Sequence, residues 1–542
     1  MSERTAHIDK SWQELFEGAG GVSETFLSDI LPAYMRTTRW FGAKSSKIRK
    51  FGIERFAPYA IDSGERAYLL FVEVIFETSN SEVYFLPVCR DENPEEERGV
   101  ICRLKDSAGK DVGFLTDAIF SEKFRQSLFR NITARETVSL SPGQLRFSKG
   151  KRLRASDYSA DMTSYVLSAE QSNTTVVFDE RYFLKIYRKL FRNNNPDLEL
   201  TRFLSEKTNF PHSPNFAGSI EWVRSDYYVV SIGLMQEKVE NRGEAWTAAL
   251  TDIREIFGRI AEKGLSPEAL PKPGLYKPLP DAEIPEIWRE LTGEDFLNQV
   301  KKLAVRTAEL HLALASDKTD RHFNPDAFTG DYTVWLLNRV MYMYDRRFHL
   351  LEQQLGQLKG KAREYAEYLI LHKDRIKDML LNFDEQNLNS CRIRIHGDYH
   401  LGQVLITDGD FCILDFEGEP ESTIRDRKVK QPPVKDLAGL FRSYHYAVFA
   451  TVFRLAETEA DIERLTEIGG RLYRLIVAVS LEEYVKTATE GGLDIGYARE
   501  IDFLLRYHIF EKAIYELGYE LHARPDWVII PLKGIMQILN ND

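Results

Sequence analysis

The sequence predicts an α+β chain: a β-rich portion, a mostly helical remainder, and a small α+β cap ahead of both. Three observations carry this expectation. Strand-like runs rich in β-branched and aromatic residues, such as YLLFVEVIFET at 68–78, cluster before residue 240. Beyond 243 apolar residues recur at helical spacing, interrupted at 266–286 by six prolines (267, 271, 273, 278, 280 and 285) that neither a helix nor a central strand tolerates. At 395–420 two short apolar runs flank a turn and bring acidic residues together.

At 542 residues the chain is long enough for two or three domains, since single cores rarely grow past about 250–300 residues. Net charge is −11, from 72 basic and 83 acidic residues, with no basic run. Nucleic acid is not an expected partner, because its affinity depends on neutralising phosphates. Four cysteines (Cys89, Cys102, Cys391 and Cys412) are too few for a disulfide framework and lack metal-ligand spacing. The opening Met1-Ser2-Glu3-Arg4-Thr5 leads into broken acidic sequence, unlike a signal peptide, and no apolar run reaches membrane-spanning length. A cytoplasmic protein without a membrane partner is expected.

Residues 1–105 are expected to form the cap. Helices fall at 11–17 and 23–35, then Arg39-Trp40-Phe41-Gly42-Ala43-Lys44, then strands at 68–78 and 82–88 joined through Ser79-Asn80-Ser81. No set of nucleophile, base or metal ligands falls there. Residues 106–240 are expected to form a β-rich lobe. Its loop 170–175, EQSNTT, is small and polar but has no glycine; hydroxyls and N–H groups of Ser172, Asn173 and Thr174 suit phosphate oxygens. Lys185 is the lone cation in the apolar run 182–187, so its ammonium requires a partner if it points inward. Asn195-Pro196 starts a helix, and Glu199 in its second turn is the candidate partner. After a strand at 227–231 the chain crosses to the helical part. There Gln236, Glu237 and Val239 are candidates for backbone contact with a nucleotide base.

Residues 241–542 form the expected helical lobe. His311, on an amphipathic helix at 303–315, reads as a packed residue, and helices at 332–356 and 361–382 lead to the motif IHGDYHLGQVLITDGDFCILDFEGEP. Gln403 follows Asp398 by five residues and Asp415 follows Gln403 by twelve, while Asp408-Gly409 is a hairpin turn signal. A hairpin there holds all three near one another, as phosphoryl transfer requires. One carboxylate orients the attacking hydroxyl; an amide oxygen and a second carboxylate hold Mg2+ on the phosphates of ATP. Protein kinases place Asn where Gln403 stands and follow it with D-F-G, here expanded to Asp415-Phe416-Glu417-Gly418. With Lys185 on the phosphates, the expectation becomes a bilobal protein-kinase-like fold, with N-lobe 106–240 and C-lobe 241–542. His396 and Glu417, flanking the motif acids, are candidates for substrate contact. Three more helices are expected at about 458–489, 495–508 and 508–522. In the last, Glu511, Tyr515 and Tyr519 recur four apart on one face, with Arg524 just beyond. Such a strip suits a sugar, and core packing explains it equally well.

The string HGDYHLGQVL…DFEGEP resembles that of the bacterial maltokinases, a branch of the aminoglycoside-phosphotransferase-like kinases. TRWFGAK at 38–44 and the EK-x-x-YE-x-x-YE…RPDW stretch at 511–527 extend the resemblance, which is weakest around 90–160 and 250–300. It implies ATP-dependent phosphorylation of maltose at its anomeric hydroxyl, within α-glucan and trehalose metabolism. It implies further that Asp436 supports the catalytic loop and that the 511–524 stretch contacts sugar. Trehalose synthase, fused to or assembled with many maltokinases, is expected only in trans, since no such domain occurs here. Two other readings stand beside it. One is a kinase of the same fold acting on an aminoglycoside, choline or another sugar. The other is a non-catalytic kinase-like scaffold for trehalose synthase, which the joint presence of Asp398, Gln403, Asp415 and Lys185 opposes.

Overall fold

The computed structural model describes residues 4–17, 22–44, 46–62, 64–168, 172–225 and 228–540. They divide into two compact units, Met1–Lys207 with Pro214–Val239 and Thr208–Ser213 with Glu240–Asp542. The segments expected as cap and N-lobe thus fall within one unit.

That unit holds, among the described residues, two seven-stranded sheets. The first runs in the order Thr5–His7, Val100–Lys105, Asp111–Asp117, Glu82–Asp91, Arg66–Phe76 and Ile48–Ala60, with Lys189–Leu190 also pairing to Glu82–Asp91. The second runs Thr137–Ser139, Gln144–Lys149, Phe216–Ser225, Tyr228–Glu237, Tyr182–Ile186, Thr174–Phe178 and Ser164–Val166. The run predicted at 68–78 is the strand Arg66–Phe76, and its alternate side chains feed two cores. Leu69 and Phe71 join Phe85, Phe129 and Trp222, whereas Tyr68, Leu70, Val72 and Val74 join Phe16, Tyr34 and Leu86. Burial on both faces explains why the run reads as continuously apolar. The first core also takes Phe124, Leu128 and Ile132 from the helix Glu122–Ala134. Both the first sheet and this core cross residue 105, so no structural divide falls at that expected boundary.

The second unit is mostly helical. Its centre is the helix Val434–Leu455, buried nearly all round, as its apolar sequence requires. Around it pack Ala245–Glu262, Glu459–Glu490, Ala498–Ala523 and Ile529–Leu539. The last two helices expected, at 495–508 and 508–522, are one continuous helix, because nothing at 508 interrupts the intrahelical ladder. The proline-rich stretch carries only the short turns Pro267–Ala269 and Asp281–Glu283. Among the described residues no helix is long and apolar enough to cross a membrane.

Candidate active site

The motif folds as its local sequence dictates. Val404–Ile406 pairs antiparallel with Phe411–Ile413, Val404 opposite Ile413, and Gly409 takes the left-handed φ of 77° that the tight turn needs. This closure brings Gln403 Nε2 to 3.4 Å from Asp415 Oδ2. Asp415 itself has a φ of 60°, an uncommon conformation for a non-glycine residue, and it re-aims the carboxylate as the strand ends. An amide and a carboxylate in contact supply hard oxygen donors of the kind that suits magnesium.

The loop bearing Asp398 is pinned from below by Asp436, which is buried. His396 N–H donates to its Oδ2 at 2.7 Å and Gly397 N–H to its Oδ1 at 2.9 Å. His311 Nε2 lies 3.1 Å from Oδ2, and its Nδ1 2.8 Å from the Tyr484 hydroxyl. Burial works against the Asp436 charge, yet the His311 bond and the loop N–H groups hold its pKa below the usual range. Asp436 therefore supports the loop as expected, and the packed His311 orients it in turn. Gly439 completes the support: a Cβ there would lie 2.5 Å from Tyr399 O, so only glycine lets helix and loop approach so closely.

His396 corrects an expectation. Its ring is buried, with Nε2 2.8 Å from Leu414 O and Nδ1 accepting from Asp398 N–H at 3.3 Å. Both ring nitrogens are spent on backbone, so it shapes the loop and has none left for substrate. Glu417 is half-buried, and its backbone carbonyl accepts from Arg427 Nη1 at 3.3 Å. The charge of Arg427 is felt by Glu417, Asp398, Asp415 and Glu419 alike, which gathers the motif acids about one guanidinium.

Asp398 meets a cation that sequence reading did not single out. Lys512 Nζ lies 2.9 Å from Asp398 Oδ1 and 3.2 Å from Glu419 Oε1. Arg339 bridges Glu419 to Glu511, and Lys435 Nζ sits 3.0 Å from Glu511 Oε1. Three carboxylates and three cations thus alternate along one chain of contacts. Burial raises the Asp398 pKa, but Lys512, His400 and His396 outweigh it and hold the carboxyl below its usual range. Burial likewise opposes the Lys512 charge, and Asp398 with Glu419 keep it protonated well above the ordinary lysine range.

The strip of 511–524 divides. Glu511 is 3% exposed and bound to Arg339, Lys435 and His508, so its oxygens are already committed and acceptor contact is not its role. Tyr515 is half-buried, with Lys512 Nζ 4.8 Å and Arg347 5.8 Å from its ring centroid. Tyr519 is 48% exposed and stacks with Arg524, whose guanidinium pairs with Glu520 and also covers Trp527. Helical spacing aligned these positions, but the packing of neighbouring helices separated them into a buried, a half-buried and an exposed residue.

In the first unit Lys185, on the strand Tyr182–Ile186, has its Nζ 3.1 Å from Asp197 Oδ2. Asp197 begins the helix Pro196–Lys207 that also carries Glu199, and its carboxylate is buried. Glu170 and Gln171 of the polar loop lie outside the described residues. Ser172 is exposed and receives the Asn173 amide at 3.4 Å. Thr174 is fully buried, its hydroxyl accepting from Arg188 Nε at 2.8 Å, so burial holds that hydroxyl away from a phosphate. Arg188 is buried too, giving Nη2 to Asp117 at 2.7 Å beneath Trp40. Gln236 and Glu237 also depart from expectation. Gln236 pairs with Phe183 on one side and Phe216 on the other, and Glu237 N–H donates to Asn215 O. Their backbones belong to a central strand, and Val239 lies beyond it.

Lys512, Glu419, Arg339 and Asp197 carried little signal. Each sits in a sequence dense in charge, and what distinguishes it is a partner far away along the chain or, for Asp197, a place two residues ahead of Glu199.

No family model matches the chain. A glucosamine kinase of Streptacidiphilus jiangxiensis is 26% identical over 251 residues, 46% of this chain and 51% of the relative. A glucosamine kinase of Mycolicibacterium smegmatis is 27% identical over 149 residues, 27% of this chain and 34% of the relative. The chain thus spans about half the length, or less, of these curated relatives. Among solved structures, a glucosamine kinase in complex with glucosamine, ADP and inorganic phosphate gives a TM-score of 0.61 at 17% identity, covering 98% of this chain and 100% of that one. Crystal form A of a glucosamine kinase gives 0.57 at 17% identity, covering 94% and 98%. At that identity the likeness is one of fold: this is an α+β chain of kinase-like fold, with a β-rich unit and a helical unit.

Proposed function

We propose that this chain is an ATP-dependent sugar kinase that phosphorylates the anomeric hydroxyl of maltose. The observation that carries the reading is the assembled hairpin: Asp398 on a pinned loop, with Gln403 and Asp415 in contact beside it. The acceptor hydroxyl donates a hydrogen bond to Asp398, which fixes its oxygen for in-line attack. As that oxygen bonds to the γ-phosphorus, the bond to the bridging oxygen breaks, ADP departs and the hydroxyl proton passes to Asp398. Gln403 and Asp415 are the residues to hold magnesium, which when bound offsets phosphate charge. Lys185 holds the phosphates electrostatically, kept in place by Asp197. Lys512 keeps Asp398 ionised and oriented.

Maltose rests on the resemblance of 395–420, 38–44 and 511–527 to maltokinases, and with it go a cytoplasmic setting and trehalose synthase as a partner in trans. A second acceptor, glucosamine, is favoured by the names of both curated relatives. ATP consumption measured with maltose, glucose, trehalose, glucosamine, choline and kanamycin separates these. Turnover dependent on maltose and abolished in Asp398→Asn supports the proposal. Turnover with glucosamine alone replaces the substrate, and none with any acceptor, magnesium present, removes the kinase reading.

A further inference from the structure

The alternating chain of charges about Asp398 is complete without a ligand. Asp398, Glu419 and Glu511 are the carboxylates; Lys512, Arg339 and Lys435 are the cations. Lys512 is 17% exposed, fixed by two carboxylates and laid over the Tyr515 ring. Its charge is therefore a permanent part of the pocket wall. The other groups about Asp398 are of mixed sign, and the cation in contact with Asp398 itself is Lys512. His396 is bound to backbone, burial lowers the His400 pKa, and Arg427 adds a further cation among Asp415, Glu417 and Glu419. Burial, with Glu419 next, keeps the Tyr515 phenol protonated. A hydroxyl hydrogen-bonded to Asp398 lies one hydrogen bond beyond an atom that is itself 2.9 Å from the ammonium. Any positive group on the same small sugar would then sit close to a fixed cation in a partly desolvated wall, where like charges repel strongly.

We infer that Lys512 determines the charge class of the acceptor, admitting neutral saccharides and rejecting amino sugars and other cationic alcohols. The inference rests on Asp398 being the acceptor-orienting base, and it deepens that reading by opposing glucosamine as the natural substrate. A neutral hydroxylated sugar accepts a hydrogen bond from Lys512; an ammonium-bearing one meets a fixed cation in that place.

The test compares glucose with glucosamine, each as substrate and as competitor of maltose, from pH 6.5 to 9. It uses the full chain as wild type, Lys512→Met and Lys512→Arg. In wild type, glucosamine should be at least about tenfold poorer than glucose at the acid end, where its amine is charged. That gap should narrow as the amine loses its proton, a readout that needs no variant to fold. Lys512→Met, though slower with every acceptor, should shrink the gap at pH 6.5 by about tenfold, and Lys512→Arg should keep it. Equal use of both sugars at pH 6.5 by wild type overturns the inference and leaves the kinase reading intact. So does an unchanged ratio in Lys512→Met. Absence of turnover with every acceptor removes both.

Discussion

Two lysines anchor two regions of this molecule, and their surroundings differ. Lys185, in the β-rich unit, stands on a strand whose neighbours Leu184 and Ile186 are buried, beside the carboxylate of Asp197. Lys512, in the helical unit, lies between Asp398 and Glu419 within a chain of six charged groups that ends at Asp398. The difference teaches that a cation can be held in place in two ways. A rigid strand positions Lys185 by its backbone, whereas Lys512, on a long helix, is positioned by the charges it touches. Changing one partner should therefore spread further through the second region than through the first.

The largest effect is expected at the end of that charge chain. Asp398→Asn should keep the fold, by circular dichroism and melting temperature, and lose about a thousandfold in turnover. Near-parental turnover would break the assignment of the base. Next comes Arg339→Met, which removes the cation shared by the buried Glu419 and Glu511 and should cost about 3 kcal/mol in urea unfolding. A cost near zero would mean that the charge chain is not a unit. Lys185→Met should raise the KM for ATP by about tenfold with the sugar KM unchanged, in keeping with loss of one charged hydrogen bond. If the sugar KM rises equally, the two regions are not as separate in role as proposed.

Acidity sharpens the comparison. Asp398, Glu419 and Glu511 each resist burial through neighbouring cations and hold pKa values below their usual range. Depressed carboxylates contribute stability that is present above their ordinary, unfolded-state values and lost as pH falls through the lower folded values. Stability should thus decline below about pH 4.5 and less steeply in Arg339→Met, read from melting temperature against pH. Activity has the corresponding sign. Lys512→Met removes a cation that lowers the Asp398 pKa, so the acid limb of kcat/KM should move to higher pH. A limb that stays put would exclude Lys512 from control of the base. The smallest effects are expected on the former sugar strip. Tyr515→Phe should weaken maltose binding by about 0.5–1.5 kcal/mol, and the exposed Tyr519→Phe should not change it, by calorimetry.

The sequence by itself determined whatever depends on neighbours a few residues apart. The turn at Asp408-Gly409 closes the hairpin, so the contact of Gln403 with Asp415 followed from spacing alone. The run at 68–78 read as a strand from its β-branched and aromatic residues, and the apolar surroundings of Lys185 marked it as a cation in need of a partner. Tertiary structure decided what depends on distant chain. Lys512 lies 114 residues from Asp398, and a lysine among Glu511, Glu516 and Glu520 on one helix carries no mark of which carboxylate it will meet. Nor does helical periodicity tell a sugar strip from a core strip, because it fixes which residues share a face and not what covers that face. Glu511 became structural because Arg339 and Lys435 arrive from other helices, and Tyr519 remained at the surface because the neighbours of the helix Ala498–Ala523 leave it open there.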